Sequence, residues 1–124
     1  MDTEAARTYF YQREQQKRDR RENERQQWLN RVREAILDVA PRHWEVQRVY
    51  LFGSITQSGR FRPNSDIDVA VECDAVEVES IFWRELEEAL NRNVDVRPLT
   101  GAIQQAVENY GELVYERKNP HSHQ

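Results

Sequence analysis

The spacing of apolar residues changes repeatedly along the chain, and each change marks an element. Trp28, Leu29, Val32, Ile36 and Val39 recur at helical steps, which predicts a helix that Pro41 ends. Val46–Phe52 is rich in β-branched and aromatic residues and reads as a strand. Gly53, Ser54, Ser58, Gly59, Pro63, Asn64 and Ser65 crowd residues 53–65, a loop with at most a short helix. From Asp66 to Glu72 the pattern alternates. Ile67, Val69 and Val71 fall on one face, and Asp66, Asp68, Ala70 and Glu72 on the other, as in a strand with one buried side. Val78, Ile81, Phe82, Leu86, Ala89 and Leu90 give an amphipathic helix over 76–90. Val94–Arg97 is a short third strand halted by Pro98, residues 101–110 form a helix, and Leu113–Tyr115 is a closing strand. This order predicts an α+β domain, a small sheet covered mainly on one face by helices. The relative direction of the first two strands stays open.

Residues before Trp28 break the pattern. Gln12–Gln27 contains no apolar residue, yet its Gln, Glu, Lys and Arg favour helix. With nothing to bury, it is expected as a solvated helix, an arm or a partner-binding segment. Tyr9, Phe10 and Tyr11 at its start are candidates to anchor it to the body or to another chain. The predicted organisation is a charged helical extension over 1–27, a domain over 28–118 and a fraying tail over 119–124.

Composition narrows the function classes. The chain has 124 residues, 32% charged and 38% hydrophobic, with a mean hydropathy of -0.96 and a net charge of -4. That length allows one domain. The first 34 residues hold nine basic and seven acidic residues, so the remainder is the acidic part. Such a balance argues against a binder of duplex DNA working by bulk charge. The longest aliphatic or aromatic run, Val49–Phe52, is far too short to span a membrane, and the first residues lack the apolar core of a secretory signal. The single cysteine, Cys73, excludes an intramolecular disulfide and a cysteine-cluster zinc site. A reduced, cytoplasmic setting is expected.

Three carboxylates carry the candidate chemistry. Asp66 and Asp68 are two apart on a strand, so both leave the same face, with Cα atoms about 6.5–7 Å apart. Carboxylates that close repel when both are ionised, which calls for a proton or a cation. Mg²⁺ prefers such oxygen ligands together with substrate phosphates. Asp95, between Val94 and Val96, points off the buried face of its own strand. If that strand lies beside the second, Asp95 completes a site for two metals. Gly53-Ser54 follows the first strand, where backbone N–H groups and the hydroxyl can cradle phosphate oxygens. His43 reads as a loop or core histidine, Cys73 as a small buried hydrophobe, and Phe82 and Trp83 as core with one able to face a partner.

Leu51-Phe52-Gly53-Ser54 followed by Asn64-Ser65-Asp66-Ile67-Asp68-Val69-Ala70-Val71 resembles the signature of the minimal nucleotidyltransferases of the DNA polymerase β superfamily. The resemblance implies a small mixed sheet with packed helices, binding of ATP with Mg²⁺, and transfer of a nucleoside monophosphate to an acceptor hydroxyl. Gly53 and Ser54 would hold the triphosphate. Asp66 and Asp68 would ligate the metals, and Asp95 would be the third carboxylate and the base. The spacing from Ser54 to Asp66 is one residue longer than the usual minimal form. Ile55, Thr56 and Gln57 stand where family members often carry an arginine, so that phosphate contact is either missing or moved to Arg60 or Arg62. Many such enzymes are antitoxins that pair with a HEPN-domain ribonuclease toxin, and some inactivate it by adenylylating a tyrosine; the resemblance implies such a partner and acceptor here. A catalytically weak antitoxin that masks its toxin, and a small-molecule nucleotidyltransferase, are the alternative readings.

Overall fold

The computed structural model of the chain describes residues 3–118; the expected tail over 119–124, with His121 and His123, lies outside them. The charged extension and the first amphipathic stretch form one unbroken helix, α1, Thr3–Val39. Its polar part is laced by pairs at helical spacing, among them Lys17–Glu14, Gln15–Asp19 and Arg25–Glu22. Pro41 lies in a 3₁₀ turn, Ala40–Arg42, that closes the helix. Then follow β1 (Val46–Phe52), a 3₁₀ turn (Gly53–Thr56), β2 (Ile67–Cys73) and α2 (Val76–Leu90). The chain continues with β3 (Val94–Pro98), α3 (Gly101–Tyr110) and β4 (Glu112–Glu116).

The strands form one sheet in the order β3-β2-β1-β4. β1 is antiparallel to both β2 and β4, and β2 is parallel to β3. The sheet is therefore mixed. The long loop 57–66 lets β1 and β2 turn back on each other, whereas α2 provides the crossover that parallel pairing of β2 and β3 requires. Pro98 sits on the edge strand, where a missing N–H breaks no interior ladder.

Burial follows the alternation of the strands. Val49 and Leu51 of β1, Ile67, Val69 and Val71 of β2, and Val94 and Val96 of β3 share one face with Val32, Ile36 and Val39 of α1 and Phe82, Leu86 and Leu90 of α2. The opposite face carries a much smaller cluster, in which Phe52 and Ala70 pack against Val107 of α3, with Tyr50, Leu99, Ile103 and Ala106 around them. Two helices cover one face, and the short α3 covers only part of the other. Asp68 and Asp95 lie on this second face.

Several side chains lie differently from expectation. Tyr9, Phe10 and Tyr11 do not anchor α1 to the body. They are 60%, 60% and 68% exposed, because α1 is a straight rod of about 55 Å whose first turns lie beyond the sheet. Trp83 is not a core residue: its indole N–H donates to the Val94 carbonyl at 2.6 Å and fixes the start of β3. His43 is held by Glu85, Nε2 to Oε1 at 2.7 Å. Cys73 is partly buried against the main core, as expected. Arg33 makes a two-pronged ion pair with Glu112, which ties α1 to β4. Among the described residues no helix is long and apolar enough to cross a membrane.

Phe82 is fully buried between α2 and the sheet. Phe82→Ala is expected to cost about 3–5 kcal/mol, read as a lower urea midpoint with an unchanged slope.

Candidate active site

The site is built where β1, β2 and β3 expose their polar face. Parallel pairing puts Asp68 of β2 opposite Asp95 of β3, and antiparallel pairing puts Asp68 opposite Phe52, the last residue of β1. Gly53 follows Phe52 at once, so the Gly-Ser turn is delivered to the Asp68 carboxylate. The sequence reading gives Gly53 the task of admitting a ligand; here its missing side chain admits Asp68. A Cβ on Gly53 would collide with Asp68 Oδ2, and its φ of +76° is one that other residues resist.

The three predicted carboxylates are electrostatically coupled. Asp68 is half-buried, and its pKa is pushed from the ordinary 3.8 to about 6, first by burial and then by the charges of Asp95 and Asp66. Asp66 stands just before β2, on the exposed end of the loop. Asp95 is held by Arg97 two residues on, whose Nε lies 3.1 and 3.2 Å from its two carboxyl oxygens. Among the described residues no three acidic, His or Cys side chains are gathered closely enough to hold a metal as they stand. The donor set nonetheless suits a hard divalent cation: three carboxylates, one lifted by the other two, beside a turn rich in backbone N–H.

The Gly53–Thr56 turn is a single 3₁₀ cycle, so its carbonyls need partners outside a regular helix. Gly53 O accepts from Thr56 Oγ1 at 2.8 Å and from Gln57 Nε2 at 3.3 Å, and Ser54 O accepts from the Gln57 N–H. Ile55 anchors the turn in the core. Its carbonyl accepts from Arg25 Nη1 of α1 at 2.9 Å. Ser54 is half-buried.

The far end of the loop is fixed by Arg92. Its Nη2 donates to the carbonyls of Arg62, Pro63 and Ser65, immediately before Asp66. The guanidinium also lies over the rings of Trp28 and Phe61, 4.6 and 4.7 Å from their centroids. The sequence reading missed Arg25 and Arg92, since each sits in a polar stretch with no motif around it. Arg62, expected as a phosphate contact, donates to the Gly59 and Phe61 carbonyls of its own loop, and Arg60 is exposed.

Two measurements test this geometry. Asp68 titrates higher in the fold than in the unfolded chain, so its ionisation opposes folding. This part of the stability is present below about pH 4 and falls as pH rises through about 6. Asp68→Asn should therefore raise the melting temperature at pH 7 and flatten its pH dependence between 4 and 6, by about 1 kcal/mol after allowance for solvent screening. Gly53→Ala should displace the Asp68 carboxylate, which is free to rotate, rather than unfold the chain. The expected cost is about 1–2 kcal/mol in denaturation, together with loss of the raised Asp68 pKa followed by carboxyl NMR.

The chain matches the family model described as polymerase beta, nucleotidyltransferase, over residues 34–120. It gives no match among curated proteins. Among solved structures it is similar to a toxin–antitoxin with AMP-PNP at 27% identity and a TM-score of 0.57, covering 69% of this chain and 74% of that one. It is similar to a mutant of the toxin–antitoxin MntA–HpeT at 25% identity and a TM-score of 0.58, with the same coverages. The complex of a tri-AMPylated Shewanella oneidensis HEPN toxin with its MNT antitoxin shares the fold at 22% identity, with a TM-score of 0.52 over 69% of this chain and 71% of that one. With 87 consecutive residues inside the family model and the Asp68–Asp95 face beside the Gly-Ser turn, the chain belongs to the polymerase beta nucleotidyltransferase family.

Proposed function

We propose that the chain is an antitoxin that transfers AMP from ATP to a hydroxyl, a tyrosine in the simplest case, of a partner HEPN ribonuclease toxin and so neutralises it. The observation that carries this reading is the facing of Asp68 and Asp95 beside Gly53-Ser54, in a chain similar to toxin–antitoxin structures. The AMP-PNP with one of those toxin–antitoxins and the AMPylated toxin in another complex suggest the donor and the acceptor class.

In this reading Gly53 and Ser54 receive the triphosphate, with the turn's N–H groups and the Ser54 hydroxyl toward its oxygens. Asp66, Asp68 and Asp95 would hold Mg²⁺, up to two ions, which offset charge on the phosphates and acidify the acceptor hydroxyl. Asp95 takes the acceptor proton once its pair with Arg97 opens. The acceptor oxygen then bonds to the α-phosphorus as the bond from that phosphorus to the pyrophosphate oxygen breaks. Positioning and charge supply the rate, and no covalent enzyme intermediate is needed.

A second reading is favoured by one contact. Arg97 occupies Asp95 in the resting fold, which suits an antitoxin of low turnover that acts by covering its toxin. The two readings part on the carboxylates. With α-labelled ATP, Mg²⁺ and the HEPN protein, label is expected on the toxin, and Asp66→Ala with Asp68→Ala should slow transfer at least about 100-fold without loss of helix content. A folded chain that labels no partner overturns the transferase reading; a double variant that still protects cells from the toxin establishes the masking one.

A further inference from the structure

Arg25 is the one charged side chain buried among the described residues, 8% exposed, and it lies in the stretch of α1 with no apolar residue. All three guanidinium nitrogens make a hydrogen bond. Nε and Nη2 grip the carboxylate of Glu22, one turn earlier. Nη1 reaches 30 positions along the chain to the Ile55 carbonyl. Glu22 in turn accepts from Ser58 Oγ at 3.0 Å and from Gln26 Nε2 at 3.1 Å. The Arg25 contact holds the Glu22 carboxyl well below its usual range, at about 2. A planar fork engaging a carboxylate and a carbonyl at once is something arginine can do and lysine cannot.

We propose that Arg25 is a positioning residue for the nucleotide: through Ile55 O and the Glu22–Ser58 link, α1 fixes the Gly53–Thr56 turn in the shape that receives phosphates. The proposal rests on the nucleotide-binding role of Gly53 and Ser54 argued above. The reason is local. A single 3₁₀ cycle cannot cap its own third carbonyl, and no following helix turn does so. Without Arg25 that buried carbonyl has no partner, and the turn is free to refold around Gly53, whose backbone is the softest in the segment. The extension then has a job inside the site, since only a helix continuing past residue 28 toward the N-terminus can bring an arginine over Ile55.

The full chain and its Arg25→Met, Arg25→Lys and Glu22→Gln variants test this, with Arg13→Ala as a control on the exposed part of the same helix. Two readouts are needed, both well below melting. Amide hydrogen exchange of peptides covering residues 53–58 should quicken about tenfold in Arg25→Met and less in Arg25→Lys and Glu22→Gln, with peptides of β1 and β2 unchanged. ATP affinity with Mg²⁺ present, by calorimetry, should weaken about tenfold in Arg25→Met, about threefold in Glu22→Gln, and not at all in Arg13→Ala. In transfer assays the loss should fall on KM rather than kcat, because the turn grips the triphosphate equally before and during reaction. Should Arg25→Met fold poorly, Arg25→Lys keeps the charge and an N–H donor group without the planar fork and carries the same comparison. Unchanged exchange over 53–58, or a fall in melting temperature with ATP affinity intact, overturns the proposal. A wild-type chain that binds no ATP instead overturns the nucleotide reading of the turn, and the exchange result then still decides whether Arg25 fixes it.

Discussion

Two carboxylates of like charge stand opposite each other on adjacent parallel strands. The pairing of Asp68 with Asp95 follows from the register of β2 on β3, and that register is locked by burial. Sliding β3 by one residue would turn Val94 and Val96 out of the core and Asp95 into it. The repulsion is thus a cost imposed by the same packing that stabilises the sheet. It is moderated in the resting fold by Arg97 on Asp95 and by raising the Asp68 pKa. A face that stores unfavourable charge in this way is prepared for cations, because a cation relieves repulsion that the fold has already accepted.

The division of the hydrophobic core makes this tolerable. Most of the buried apolar side chains lie between the sheet and the pair α1 and α2. The other face has only the Phe52, Ala70 and Val107 cluster under α3. Most of the core therefore lies on one side of the sheet and the candidate site on the other. A substitution among the acids changes charge without opening a cavity, and a cavity made under α2 leaves the acids in their register.

The loop between β1 and β2 joins the Gly53–Thr56 turn to the first acid, and it is long and rich in Gly and Ser. Left to itself it would be mobile. Arginines clamp both of its ends: Arg25 from α1 at Ile55, and Arg92 from the residues after α2 at Arg62, Pro63 and Ser65. Arg92 is further held between Trp28 and Phe61, with Arg31 stacked on the same indole at 4.1 Å. α1 is thereby part of the site's support as well as of the core. Its first turns, with Tyr9, Phe10 and Tyr11 in solvent, add nothing to either.

Local pattern alone determined the elements. Val46–Phe52, Val76–Leu90 and residues 101–110 fall where periodicity places them, because each carries its own spacing of apolar residues and ends at a residue that breaks it, Gly53, Asn91 and Gly111. Asp66, Asp68, Asp95, Gly53 and Ser54 were legible for a related reason: acids alternating with buried valines, and a Gly-Ser pair ending a strand, are short-range signals. What only the tertiary structure decided is which groups meet. The direction of β2 against β1, the facing of Asp68 and Asp95, the collision that reserves position 53 for glycine, and the reach of Arg25 to Ile55 and of Arg92 to the loop before Asp66 all join residues far apart in sequence. An arginine amid glutamines and glutamates looks like a solvated helix face, and it becomes a buried brace only because packing of Leu29, Val32 and Ile36 sets the rotation of α1 above the turn.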